Sequence, residues 1–199
     1  MKAEHCGLCG RRGERTCPAV GGEICALCCG KKRRRTIACP DDCRYLAEAR
    51  RRAVEHLFEL GSDPNFERVM GEVLHNLRLA LVRSREGRVR DLTDDEARQA
   101  LAGVSDTMRT RSKGLLYDFK TPDPRVQLAA DELAGFAGLH ERGEKGYARA
   151  RPEDIARALA YLARQAERAG AEARGTTVFL DLCALVTAAE PARRPAEAE

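Results

Sequence analysis

Apolar positions recur at three- and four-residue intervals through most of the chain beyond residue 44, a spacing that predicts five or six amphipathic helices. From about Cys43, a stripe of Leu46, Ala49, Ala53, Leu57 and Leu60 runs to a stop at Gly61. Asp63 and Pro64 then read as an N-cap and a first helical residue. The second helix carries Phe66, Val69, Met70, Val73, Leu74, Leu77 and Leu81, a face broad enough for a central packing element. Thr93 and Glu96 have the spacing of a capping box ahead of Ala97, Leu101, Val104 and Met108, with Leu92 placed for a staple against Ala97. After the loop SKGLLYDFKTPDP, Asp123 and Pro124 open a fourth helix that ends before Gly143. A fifth spans about Pro152 to Ala169, with Ile155, Leu159, Leu162 and Ala166 on one side and Gly170 as terminator. A sixth covers roughly residues 177–189, and the tail PARRPAEAE at 191–199 is expected to be disordered.

Short connections between such helices predict an all-α bundle over residues 46–190, with no 34- or 40-residue repeat to suggest a solenoid. Residues 1–45 lack the period and consist of short pieces punctuated by Gly and Cys, so a small separate domain is expected there. The fold class is therefore mainly α: a small amino-terminal domain, followed through Tyr45 and Leu46 by the bundle. Composition reinforces this, because aromatics are only 5% of the chain, Trp is absent and 33% of residues are charged. No apolar leader follows MKAEHC, and Asp181 interrupts the longest apolar run, VFLDLCALVTAA, so a soluble cytoplasmic protein is expected.

Cysteine usage changes the picture most. Eight of the nine cysteines fall between Cys6 and Cys43, spaced as C-x2-C (Cys6, Cys9), Cys17, C-x2-C-C (Cys25, Cys28, Cys29) and C-x3-C (Cys39, Cys43). In a reducing cytosol such spacing points to thiolate ligation rather than to disulfides. Zinc needs four soft donors at tetrahedral angles, and a C-x2-C turn supplies two of them from one knuckle. Eight thiolates make two such sites. The spacing favours interleaved ligation, with Cys6, Cys9, Cys25 and Cys28 on one ion and Cys17, Cys29, Cys39 and Cys43 on the other, since adjacent Cys28 and Cys29 point in different directions. His5 could replace one thiolate, although beside Cys6 a supporting or exposed place suits it better. The head's main apolar residues are Leu8, Val20, Ile24, Leu27 and Ile37, too few to fold it, so metal must supply the folding energy, on the order of 10 kcal/mol per structural zinc. An iron-sulfur centre is the redox alternative, but the spacings match no usual ferredoxin run. Cys183, beside Leu182, Leu185 and Val186, is expected to be a buried small hydrophobe.

Five consecutive cations, Lys31, Lys32, Arg33, Arg34 and Arg35, separate the last two cysteine groups and form a candidate nucleic-acid contact, extended by Arg11, Arg12 and Arg15. Residues 1–45 hold ten Lys or Arg against five Asp or Glu, a formal +5. Two tetrathiolate zinc sites would lower that to about +1, so part of the run serves to offset thiolate charge and to donate hydrogen bonds to sulfur. The head offers no stacking platform for bases beyond Tyr45, which is expected to pack at the start of the first helix.

Catalytic signatures are missing. There is no H-E-x-x-H, G-x-S-x-G, P-loop or Rossmann fingerprint, and the single E-x-x-H pair, Glu72 and His75, lacks the second pair a di-iron bundle requires. His56, His75 and His140 are read as structural, and Asp94, Asp95 and Glu96 as favourable charge at a helix start.

The stretch CALCCGKKRRRTIACPDDCRYL resembles a cysteine-rich head found on uncharacterised bacterial proteins, in which a C-C-G-x-K-R element and a C-P-x-x-C-x-Y-L element precede a helical tail. It is also similar to the cross-brace fingers of the B-box, MYND and HIT type, which implies a small two-zinc finger of treble-clef or cross-brace style over residues 1–45, ahead of the all-α bundle. Fingers of those kinds mostly mediate protein contacts, so the resemblance, over about residues 6–46, implies a non-enzymatic adaptor that binds another protein.

Overall fold

The computed structural model describes residues 5–33, 36–40, 42–170 and 177–189, with backbone alone at 50, 53, 54, 57, 58 and 170. It divides into two compact units, Met1–Arg52 and Ala53–Glu199, with the division inside helix α2 (Arg44–Glu59). Of the expected positions, Arg34, Arg35 and the tail at 191–199 lie outside the described residues, as do the side chains of Ala53 and Leu57.

In the first unit two short strands, β1 (Arg15–Cys17) and β2 (Gly22–Ile24), pair antiparallel with Arg15 opposite Ile24 and Cys17 opposite Gly22. Gly21, at φ +68°, lets the chain reverse between them, a left-handed conformation open to a residue without Cβ. Helix α1 (Ala26–Lys32) follows directly, with Cys25 as its N-cap. Neither hairpin nor helix shows in the hydrophobic pattern, because three strand residues and two helical turns are too short to repeat a period. The buried interior consists of Cys6, Cys17, Cys25, Cys28 and Cys29 with Ile24 and Ile37, and Val20 packs against it. Leu8 and Leu27, expected among its apolar contributors, are exposed. Sulfur thus makes up most of this small core.

The second unit contains α3 (Pro64–Val69), α4 (Gly71–Gly87), α5 (Asp94–Arg111), α6 (Pro124–Arg142), α7 (Pro152–Gly170) and α8 (Val178–Ala189). Helix α5 packs chiefly on α7 and also on α6, while α4 lies against α6 and α8. Leu74, Leu77, Leu81, Leu101, Met108, Leu133, Ile155, Leu159 and Phe179 fill the core between them. The predicted second helix is two helices. Met70 leaves helical geometry at ψ 14° and Gly71, a poor helix former, starts the next segment, which leaves Val69 70% exposed instead of on the apolar face. This break frees Phe66 to pack on Tyr161, with ring centroids 5.1 Å apart, while α4 takes its own direction into the core.

The cap signals are realised. Asp63 accepts from the Asn65 and Phe66 amides, and Asp123 from those of Arg125 and Val126. Thr93 and Glu96 exchange hydrogen bonds as a complete capping box. Gly143, at φ +66°, ends α6 in the left-handed conformation. Asp94, in the acidic cluster read as helix-start charge, has a further role: fully buried, it accepts the amides of Phe179 and Leu180 at 3.0 and 3.1 Å and so caps α8 from another helix.

Candidate metal centre

Cys6 sits in a tight knuckle. Its carbonyl accepts the amides of Cys9 and Gly10, and Gly10 closes the turn at φ +72°. The Gly7 amide donates to the Glu23 carbonyl on β2, which holds the knuckle against the hairpin. The hairpin then delivers the chain to the first turn of α1, where Cys25 is the N-cap and Cys28 lies three residues on. There the Cys28 amide donates to Cys25 Sγ at 3.3 Å, an orphan helix-end donor satisfied by sulfur.

These two pieces bring Cys6, Cys9, Cys25 and Cys28 together, with all four Sγ atoms within 4.8 Å of one another. Cys9 Sγ and Cys25 Sγ are 3.7 Å apart. A sulfur tetrahedron around zinc, with bonds of about 2.3 Å, has edges of about 3.8 Å, so the four thiols fit a metal ion. Cys9 is exposed while the other three are buried, which leaves one open side for an ion to enter.

The protons of the cluster tell the same story. The Cys6 thiol is drawn down to about 6, chiefly because the backbone amide of Cys25 donates to it, against the opposing effect of burial. Cys28 is pushed up to about 12, first by its hydrogen bond with the Cys9 thiol and then by burial. Four sulfurs this close cannot all be anionic without a cation among them. A divalent ion that takes the place of the protons removes that conflict.

The other four predicted ligands form no group within 4.8 Å of one another. Cys17 is buried at the end of β1, and Cys29 is buried on α1 with its sulfur 3.6 Å from Arg33 Nη2. Cys39 and Cys43 are half-buried, and Cys43 opens α2 with its carbonyl accepting the Leu46 and Ala47 amides. Among the described residues, Cys6, Cys9, Cys25 and Cys28 form the only group of ligand atoms at metal-binding distance. Cys17, Cys29 and Cys39 nevertheless share one small core. His5 lies outside the cluster, exposed and bridged through its backbone to Arg12.

Of the basic run, Lys31 is exposed, Lys32 is half-buried and Arg33 turns back onto sulfur. Tyr45 is flanked by the guanidinium groups of Arg15 and Arg44, at 4.9 and 4.6 Å from its ring centroid. Cys183 is buried and its thiol is pushed up to about 12 by burial, which keeps it protonated and unreactive. Glu72 accepts the Ala148 amide at 2.8 Å. His140 is enclosed, with one ring nitrogen 3.1 Å from the Asn76 amide nitrogen and the other 2.8 Å from the Ala148 carbonyl. Among the described residues, no helix is long and apolar enough to cross a membrane.

Comparison with protein-family models, with curated proteins and with solved structures returns no match to this chain. The chemistry of the site therefore rests on its own residues.

Proposed function

We propose that the first unit is a treble-clef zinc finger and that it serves, without catalysis, as a docking module for another protein. The convergence of Cys6, Cys9, Cys25 and Cys28 carries this reading. Their order of supply, a knuckle, then a hairpin, then a helix start, is that of a treble clef. Zinc suits four thiolates at tetrahedral spacing, and its binding energy replaces the oily interior that two isoleucines cannot provide. Cys17, Cys29, Cys39 and Cys43 are the proposed ligands of a second zinc, supported by the shared packing of the first three.

A protein partner is supported by the surface around the sulfur core. A cleft of about 630 Å³ is lined by Leu8, Val20 and Ile37 together with Lys31 and Lys32. Leu27 is a further exposed apolar side chain on α1. A lining both apolar and cationic suits a peptide segment carrying apolar and acidic side chains. Nucleic acid is less well served, because Arg33 is engaged with sulfur and the Tyr45 ring with two arginines.

Native mass spectrometry of the purified chain tests the metal, with two zinc ions expected and one fewer in Cys25→Ser. A chain that is free of metal yet ordered over residues 5–43 overturns the proposal. Selection from displayed peptides tests the partner: acidic, apolar sequences are expected, and they should lose binding to the Lys31→Glu, Lys32→Glu variant. Retention of duplex DNA at about 150 mM salt, lost in that variant, would transfer the site to nucleic acid.

A further inference from the structure

In the second unit a cleft of about 320 Å³ opens between α3 and α7, at the turn that follows α2. Phe66 and the Leu60–Gly61 backbone form one wall, and Arg157, Tyr161, Arg164, Gln165 and Arg168 of α7 form the other. Arg157, Tyr161, Arg164 and Arg168 recur at intervals of four, three and four residues, so they share one helix face. Three guanidinium groups thus border the cleft; its one lining carboxylate, Asp63, is already engaged with the amides that start α3, and Asp154 outside the lining pairs with Arg157.

The cations differ in what holds them. Arg168 donates to the Leu60 carbonyl at 2.7 Å, and a Cβ at Gly61, where φ is +78°, would lie 1.6 Å from its Nη1. This close fit fixes one end of the wall. Arg157 stands 5.7 Å over the Phe66 ring and pairs with Asp154 at 3.7 Å. Arg164 makes no ion pair with a described residue and is exposed. Gln165 lies on the same wall, only 1% exposed, and both its amide nitrogen and its amide oxygen are buried without a hydrogen-bond partner. A buried carboxamide left unpaired is a cost that a leucine at the same place would avoid. A ligand that brings a donor and an acceptor accounts for it.

We propose that this cleft binds a small planar anion, a ring bearing a carboxylate or a phosphate group and, elsewhere on the ring, a hydroxyl. The ring packs beside the stacked Phe66 and Arg157 side chains, the anionic group pairs with Arg164, and Gln165 meets the second polar group of the ligand. The volume is at the small end of the range for ligand sites, which matches one ring and its charged group. This proposal is independent of the metal centre.

Calorimetric titration of the full chain with 4-hydroxybenzoate, 4-hydroxyphenyl phosphate, phenol and inorganic phosphate provides the test. One or both aromatic anions should bind saturably, and their relative affinity separates carboxylate from phosphate as the preferred group. Phenol and inorganic phosphate should bind at least about tenfold more weakly, because each lacks half of the recognised chemistry. Arg164→Gln should weaken the aromatic anion about tenfold with an unchanged melting temperature, since its side chain supports no described contact. Gln165→Leu should raise the melting temperature and still lower affinity. No saturation by either aromatic anion below about 10 mM, equal binding of inorganic phosphate, or full affinity in Arg164→Gln overturns the proposal.

Discussion

Asp94→Ala removes the carboxylate that starts α8 from a neighbouring helix. Phe179 and Leu180 occupy the second and third positions of α8, where a helix normally relies on its own N-cap side chain. Here Thr177 Oγ1 donates to Asp181 Oδ2 at 3.1 Å instead, and the two amides donate to Asp94 at 3.0 and 3.1 Å. Both amides belong to residues that are fully buried, so water cannot replace the lost acceptor unless the helix start opens. Each charge-assisted bond is worth about 1.5–3 kcal/mol, and partial relaxation of α8 recovers some of it, for a net loss of about 3 kcal/mol. In a chain of this size that lowers the melting temperature by about 6–12 °C. Thermal unfolding followed by circular dichroism measures it, and hydrogen exchange should show α8 opening before the rest of the unit. Asp95→Ala is the control: it stands in the same first turn of α5 but is exposed beside Arg98, and its loss should cost only about 0.5 kcal/mol. If Asp94→Ala melts within about 2 °C of the wild type, the cross-helix cap does not support α8.

Chelation should abolish the ordered amide signals of residues 5–43 while most helical circular dichroism survives, because the helices of the second unit rest on their own core; collapse of both together would show that they fold as one. Glu96 is raised by burial but pulled down further by Arg125 and by the Thr93 amide and hydroxyl, so its folded value lies below the ordinary 4.5. Its charge therefore stabilises the fold above pH 4.5, and that contribution fades as pH falls through the lower folded value; Glu96→Gln should be destabilised near neutrality and converge with the wild type in acid, as urea titrations across pH will show. Gly103→Ala would place a Cβ 2.4 Å from the Phe119 ring, and the ring must leave α5 together with the 2.9 Å bond from the Phe119 amide to Thr107. A loss of about 1–3 kcal/mol in urea unfolding is expected.

Most of the helical unit was legible because its signals are local. Asp63, Thr93 and Asp123 act within three residues of themselves, and Gly143 needs only its own backbone freedom. The break at Met70 escaped the periodicity, since the apolar positions on both sides keep helical spacing and only packing decides that Phe66 and α4 face different neighbours. The arginine face of α7 was written in the spacing of Arg157, Arg164 and Arg168, but without Phe66 opposite it reads as a solvated charge stripe.

For the site, residue type and C-x2-C spacing were enough to name Cys6, Cys9, Cys25 and Cys28 as one set, because a knuckle and a helix start each hold their two sulfurs through short-range geometry. Residue type alone could not show that Leu8 and Leu27 stay outside the small core, or that Arg33 returns to Cys29. Nor could it place Asp94 at the start of a helix some 85 residues away. Local chemistry is carried by neighbours in the chain and so appears in the order of residues. Contacts between distant segments depend on how whole elements pack, and only the tertiary structure decides them.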